Sequence, residues 1–335
     1  MSLKLFFFTP IIAFSLARSP HRPSKNILPY IQVKSRASNK TYTFRDSHLR
    51  EIPLFKTFDL DFFNKNLIPE KIAVPDGIIA GSEIDEEINK VLDDILKRKP
   101  IKDFIVLKNL DFNPVTRSGL IILKLKKYPF VLKLFLENAK SLSHPYHNGF
   151  QVRSLYLMGG CLRHLAGFTR IKNAQEIKKR CQNDSYWSNR IIVPRKWFWL
   201  PKHVTWIDII GFKIGGKEEQ KISIPKIYGI IADAIEHEHN ERPSDSECLK
   251  LSTFLDYIVD PHAINFVIEK NTKKLAAIDT EHFPTMVGIT EKIKPTSDYL
   301  SWYAKLGKKY VGDFFMSKGK RERIQFNSRT DYPLV

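Results

Sequence analysis

Three polar residues stand out by type and spacing: Asp260, Asn265 and Asp279. The first two lie in Tyr257-Ile-Val-Asp260-Pro-His262-Ala-Ile-Asn265-Phe-Val-Ile268, and the third follows a polar turn in Leu275-Ala-Ala-Ile-Asp279-Thr-Glu281. The pattern reads as a loop, a short apolar strand, a turn, a second apolar strand and an acid at that strand's exit. Such a hairpin brings Asn265 and Asp279 together. A carboxylate and an amide carbonyl at adjacent strand ends are hard oxygen ligands, suited to a Mg²⁺ ion that keeps waters and phosphate oxygens. Asp260, five positions before Asn265, is then placed to accept a proton from a hydroxyl attacking a phosphate. His262 sits in the same loop, where it contacts phosphate or stabilises the loop.

These residues resemble the protein-kinase-like superfamily. The spacing of Asp260 to Asn265 is that of the kinase catalytic loop D-x-x-x-x-N, and Ala277-Ile-Asp279 stands where the metal-binding Asp of D-F-G would be. Asp260-Pro-His262 followed by Asn265 is also similar to the D-x-H-x-x-N loop of aminoglycoside and other small-molecule phosphotransferases. The resemblance implies ATP and Mg²⁺ as cofactors, with Asn265 and Asp279 on the metal and Asp260 at the acceptor hydroxyl. It also implies a lysine in the third strand of a five-stranded antiparallel sheet, to neutralise nucleotide phosphates. Lys133 in Phe130-Val-Leu-Lys133-Leu-Phe135 has that form, its charge enclosed by apolar neighbours. A strand over 222–231 would run into a purine-contacting hinge that offers the backbone of Ala232, Asp233 and Ala234. Glu176 is the candidate for the helical glutamate that orients Lys133, being preferred over Glu137, which is close to Lys133 in sequence. On this reading, loss of Asp279 or Lys133 abolishes turnover without unfolding the chain.

The sequence departs from the kinase pattern in several places. No G-x-G-x-x-G lies between the first two strands, where Asn113-Pro-Val-Thr-Arg-Ser-Gly119 is the candidate turn. Thr280-Glu281 replaces Phe-Gly, Val259 occupies the place of the usual Arg, and no A-P-E follows. These gaps count against regulated protein phosphorylation and leave an atypical kinase, a small-molecule or sugar kinase, or a degenerate nucleotide binder.

The elements that must position these residues follow from periodicity. A helix is predicted at 82–98, capped by Ser82, acidic in its first turn and apolar at Ile84, Ile88, Val91, Leu92 and Ile95. Strands follow at 104–107, 119–125 and 130–136, a meander. A short helix at 173–182 takes Asn173 as its cap, and further strands are predicted at 191–200, up to about 213, and at 222–231. Ser244 and Glu247 have capping-box spacing for a helix over 244–258, and a last helix is predicted over 298–316. Strands in the first half and helices in the second indicate an α+β class. The resemblance refines this to a bilobal fold, with a strand-rich nucleotide-binding lobe at 101–236 and a small, mainly helical lobe at 237–335. Residues 18–100 read as a basic arm and a helical extension.

The chain has 335 residues and a net charge of +18, which calls for an anionic partner such as nucleic acid, a membrane face or a phosphorylated ligand. From Arg117 to Lys217 there are 19 Lys or Arg against Glu137, Glu176, Asp184 and Asp208, so the excess concentrates in the proposed nucleotide lobe. Trp187, Trp197, Phe198, Trp199 and Trp206 lie among Arg190, Arg195, Lys196 and Lys202, a mixture that stacks on single-stranded nucleic acid when exposed and forms strand core when buried. The alternative to a kinase is therefore a non-catalytic pseudokinase or a basic module for nucleic acid or an acidic partner. Three cysteines without a C-x-x-C pair suggest no disulfide framework, and no apolar run reaches membrane-spanning length. His237-Glu238-His239 lacks the helical i, i+4 spacing of a metal pair and reads as a turn. Lys4, an apolar run and Ser15-Leu-Ala17 have the three regions of an export signal, the alternative being a buried first element; export or a cytoplasmic location turns on its cleavage.

Overall fold

The computed structural model describes residues 30–45, 58–108, 119–139, 163–212, 219–238 and 240–287. The predicted leader, the turn before Gly119, Gly215-Gly216, Cys161, His239 and the helix over 298–316 lie outside them.

The chain is a mixed α+β protein with antiparallel sheets. Strands β5 (Phe104–Lys108), β6 (Gly119–Leu125) and β7 (Phe130–Leu136) form the meander. They join β12 (Ile227–Asp233) and β9 (Lys196–Trp199) in a five-stranded antiparallel sheet of order β5-β6-β7-β12-β9. On one face lies helix α2 (Gly81–Leu96). Its stripe of Ile84, Ile88, Val91, Leu92 and Ile95 packs on Leu123, Leu125, Leu132, Leu134 and Ile231, each 5% exposed or less. Burial of each such side chain contributes about 2 kcal/mol, so this packing needs no help from a side-chain cap. The helix indeed starts at Gly81 behind Ala80, which makes no side-chain cap bond, and Ser82 lies within it. The start is held by the Gly81 amide donating to the Glu70 carbonyl at 2.8 Å.

Four described strands precede this unit, of which β3 (Lys71–Val74) and β4 (Gly77–Ala80) pair as a hairpin before α2. β1 (Tyr30–Ser35) and β2 (Thr41–Arg45) pair with β10 (Trp206–Phe212) and β11 (Glu219–Pro225) in a second antiparallel sheet of order β11-β10-β1-β2. Residues 30–45 are thus part of a sheet and not a solvated arm, because Val33 alternates inward to meet Ile207, Ile209 and Ile224. The strand predicted over 222–231 is in fact two, β11 and β12. Pro225-Lys226 lets the chain cross from one sheet to the other.

Helix α3 (Arg163–Ala166), a 3₁₀ turn at Gly167–Thr169 and α4 (Arg170–Gln182) run on continuously. Gly167 permits this close approach, since a Cβ there would stand 1.9 Å from the Tyr228 hydroxyl oxygen. The Tyr228 ring stacks on Phe135 and Phe168 with centroids 4.8 and 4.4 Å away. Further along, Ile177 and Cys181 of α4 enter another core with α5 (Asp245–Phe254), the hairpin β13 (Phe266–Ile268) and β14 (Leu275–Ala277), and Trp187. Strand β8 (Ile191–Ile192) pairs parallel with β14 and ties the hairpin to the central region. Ser244 caps α5 by accepting from the Glu247 amide.

Candidate functional site

Cross-strand register decides which side chains share the sheet face opposite α2. Lys133 lies opposite Ile122 and Ile230, while Val131 lies opposite Lys124 and Ala232, and Ala232 opposite Lys196. Directly paired residues, and residues two apart on a strand, point the same way, so Ile122, Lys124, Val131, Lys133, Ala232 and Lys196 share one face. Further along that face Phe135, Tyr228 and Phe198 are fully buried beneath α3 and α4. At Ile122, Lys124, Val131 and Ala232 the cover thins and the residues are half-buried.

Against this face the exit of β14 delivers Asp279. Its carboxylate pairs with Lys133 at 3.1 Å and with the Arg170 fork, Nε at 2.8 Å and Nη2 at 3.2 Å. Arg170 Nη2 also meets Glu281 at 3.2 Å. Lys196 donates to Thr280 Oγ1 at 2.7 Å and to the Ile278 carbonyl at 3.3 Å; Lys133 reaches the same carbonyl at 3.4 Å. Thr280 Oγ1 donates onward to the Arg170 carbonyl at 2.7 Å. Asn173, one turn on from Arg170, donates to the carbonyls of Ile258 and Thr280 at 2.9 and 3.0 Å.

The charges act on one another strongly because the site is largely buried. Burial alone would raise the Asp279 carboxyl, but Arg170, Lys133 and Lys196 outweigh it and hold the group well below the usual carboxylate range. Burial depresses Lys133, against the pull of Asp279. Lys196 is pushed further down, by burial and then by the like charge of Lys133. Arg170 keeps its proton despite burial because Asp279 and Glu281 face it.

The loop before β13 runs beside this segment. The Phe283 amide donates to the Ile258 carbonyl at 3.1 Å, Val259 bridges His282, and Ser252 Oγ donates to the Val259 carbonyl at 2.6 Å. Asp260 Oδ1 accepts from the His262 amide at 3.0 Å, and the His262 ring accepts from the Ile264 amide. Asn265 donates from its side chain to the Asp260 carbonyl at 3.3 Å, while its own carbonyl accepts from the amides of Ile278 and Asp279, both at 3.0 Å. Lys133, Asp279, Asn265 and the Asp260 loop are therefore one bonded unit.

Other residues singled out by sequence lie elsewhere. Glu176 pairs with Arg180 at 2.6 Å, one turn away on the outward side of α4, and does not orient Lys133. Glu137 does not either: it is buried with only the Asn138 amide as donor, and burial raises its carboxyl well above the usual range. At the expected hinge, the Asp233 and Ala234 amides donate to the carbonyls of Arg195 and Pro129 at 3.1 and 2.9 Å, so sheet neighbours already use them. The Asp233 side chain pairs with Arg195, and Ala232 belongs to the lysine-bearing face. Of the five aromatics considered above, Trp187, Phe198 and Trp199 are core residues, while Trp197 and Trp206 are half-buried. Asn173 is an interior helix residue, not a cap. A cavity of about 650 Å³ opens between α4 and α1 (Leu60–Lys65), lined by Phe62, Lys172, Glu176 and His282, away from Lys133 and Asp279.

Sequence reasoning missed Arg170 and gave Asn173, Lys196 and Glu281 other places: a helix cap, an aromatic and basic mixture, and a departure from D-F-G. The first two are polar residues three apart on a helix face that also carries Ile171, Ala174 and Ile177. Polar groups on a buried stripe must find partners, which was the available signal. Comparison with protein-family models, with curated proteins and with solved structures finds no match in any of the three.

Proposed function

We propose that this chain is an atypical kinase-like phosphotransferase that binds ATP on the lysine-bearing sheet face and passes its γ-phosphate to a hydroxyl acceptor, a small molecule, a sugar or lipopolysaccharide, or a protein side chain. The observation that carries this reading is the 3.1 Å pair between Lys133, on the third strand of the five-stranded sheet, and Asp279, at the exit of the hairpin that follows the Asp260–Asn265 loop. Phosphoryl transfer is chiefly positioning and charge neutralisation, and these residues supply both. Lys133 neutralises phosphate oxygens, and Asp260 accepts the acceptor's proton as its oxygen attacks.

Mg²⁺ fits in kind but not in this arrangement. Asp279 and the Asn265 side-chain oxygen are hard donors, yet Asp279 is already engaged by Arg170 and Lys133. Among the described residues no group of three or more His, Cys, Asp or Glu is placed for a metal. The Arg170 fork is the specific observation favouring a second reading, a nucleotide-binding pseudokinase of the same architecture.

One experiment tests both. Melting temperature is measured with ATP, with and without Mg²⁺, alongside transfer of labelled γ-phosphate to a hydroxyl acceptor or to water. A ligand that binds only the folded chain raises its melting temperature. A Mg²⁺-dependent shift with turnover supports the transferase; a Mg²⁺-independent shift without turnover supports the pseudokinase. No shift in either condition overturns the nucleotide reading altogether.

A further inference from the structure

The sheet face carries more positive charge than its acids balance. Lys133 from β7, Lys196 from β9 and Arg170 from α4 surround Asp279 and Glu281. Lys124 from β6 stands on the same face, diagonal to Lys133 across the β6–β7 ladder, at a spacing of about 7–8 Å between Cβ atoms. Its side chain is half-buried and makes no ion pair or hydrogen bond among the described residues. β6 is an interior strand, flanked by β5 and β7, so Lys124 is not there to blunt a sheet edge. Among the described residues four basic side chains thus meet two carboxylates, on the part of the face where the covering elements thin out.

We infer, on the basis of the nucleotide reading above, that the nucleotide's phosphates are held by a rake of lysines from three strands of one sheet face, Lys124 of β6, Lys133 of β7 and Lys196 of β9. The side chains take the part that backbone amides of a glycine-rich loop play elsewhere. The charge balance argues for a phosphate-bearing ligand over a neutral one: Lys124 has no described counter-charge, and an anion beside Lys133 and Lys196 favours the protons that burial works against. The geometry argues the same way. Lys133 and Lys196 converge on a single carbonyl oxygen, that of Ile278, so their ammonium groups are already gathered near one point. Val131 and Ala232, half-buried on the row between Lys124 and Lys196, leave an apolar ledge for a base beside that point. A mostly apolar floor with a few converging charges is the usual form of a small-ligand site. The sequence also lacks a G-x-G-x-x-G motif, which makes some other source of phosphate recognition necessary.

The test titrates ATP and inorganic tripolyphosphate separately into the full chain and into Lys124→Gln, by calorimetry. Lys124 is half-exposed and unpaired, so Gln should leave the fold intact, and a matching melting temperature without ligand verifies this. Both ligands are expected to bind the wild type, more weakly as salt increases, and to lose about tenfold in affinity in the variant, as for one charge-assisted contact. Lys196→Arg, which keeps the charge and the donor to Thr280, should retain binding of both ligands. Wild-type affinity for ATP in Lys124→Gln overturns the lysine rake and leaves the nucleotide reading standing. So does ATP binding without any tripolyphosphate binding, since the base would then carry recognition. Failure of the wild type to bind either ligand overturns both.

Discussion

Asp279 is bound up with stability as well as with any chemistry it performs. It is the acid on which Lys133 and Arg170 converge, with Lys196 close by, and Glu281 is the remaining counter-charge. Removing one partner of a buried ion network leaves the other uncompensated, at a cost of about 3–5 kcal/mol. Asp279→Asn should therefore destabilise the chain by about that much in urea or guanidinium denaturation. Lys133→Met should cost less, because Arg170 and Lys196 still face Asp279 and Glu281 in equal number. The buried ion network sets these outcomes against the expectation that either loss leaves the fold untouched. The same carboxyl sets a pH dependence: held below its ordinary range, it stabilises the fold above about pH 4 and loses that contribution as pH falls towards its folded value. An Asp279→Asn chain lacks that part of the acid limb.

Elements are joined here by polar contacts as well as by packing, and His164 is the clearest case. It sits in α3 with its Nε2 on the Pro225 carbonyl at 3.0 Å, where β11 gives way to β12. The carbonyl fixes the tautomer: Nε2 carries the proton, and the buried Nδ1 has no partner. Burial lowers the imidazole to about 3 from an ordinary value of 6.5. Between those values the unfolded chain holds a proton that the folded chain does not, so stability falls as pH falls. The loss between pH 7 and pH 5 from this residue is about 2 kcal/mol, following from the size of the shift. Stability against pH, measured for wild type and for His164→Gln, should show a flatter slope in the variant over that range. An unchanged slope would mean that the ring is protonated in the folded chain or exposed to solvent.

At the scale of the whole molecule, two of the three cores share α4, and the first described strand, β1, is built into the middle of a sheet. β1 stands between β2 and β10, and Arg36 pairs with Asp208 at 2.7 Å, pulling that carboxyl down to about 2. Removal of residues 1–45 would bare one long side of β10, uncover Ile207 and Ile209 and leave Asp208 with Ser223 as its partner. The truncated chain is expected to aggregate or melt many degrees lower, as a newly exposed apolar edge strand does. Solubility and a melting curve check this; a soluble chain with an unchanged melting temperature would mean that β1 contributes little. Among the described residues no helix is long and apolar enough to cross a membrane.

Much of this was legible in the sequence, for a local reason. Period-two and period-3.6 patterns, turn residues and the Ser244 cap act within a few residues, and they located β6, β7, the β13–β14 hairpin, α5 and the body of α2. The α+β class follows from the same patterns, and the hairpin with Asn265 and Asp279 at its ends is equally local. What folding decided were the partners across long separations. Lys133 and Asp279 are 146 positions apart, and no spacing rule reaches that far. The sequence offered Glu176 as the partner of Lys133, but α4 turns that residue outward and presents Arg170 and Asn173 inward instead. Residues 30–45 looked solvated because Lys34, Arg36, Lys40 and Arg45 stand among polar residues with no acid, and only pairing with β10 shows that Val33 is core. Lys124 and Lys196 carry no local mark. They share a face with Lys133 because cross-strand register, fixed only when the sheet assembles, decides which residues are neighbours.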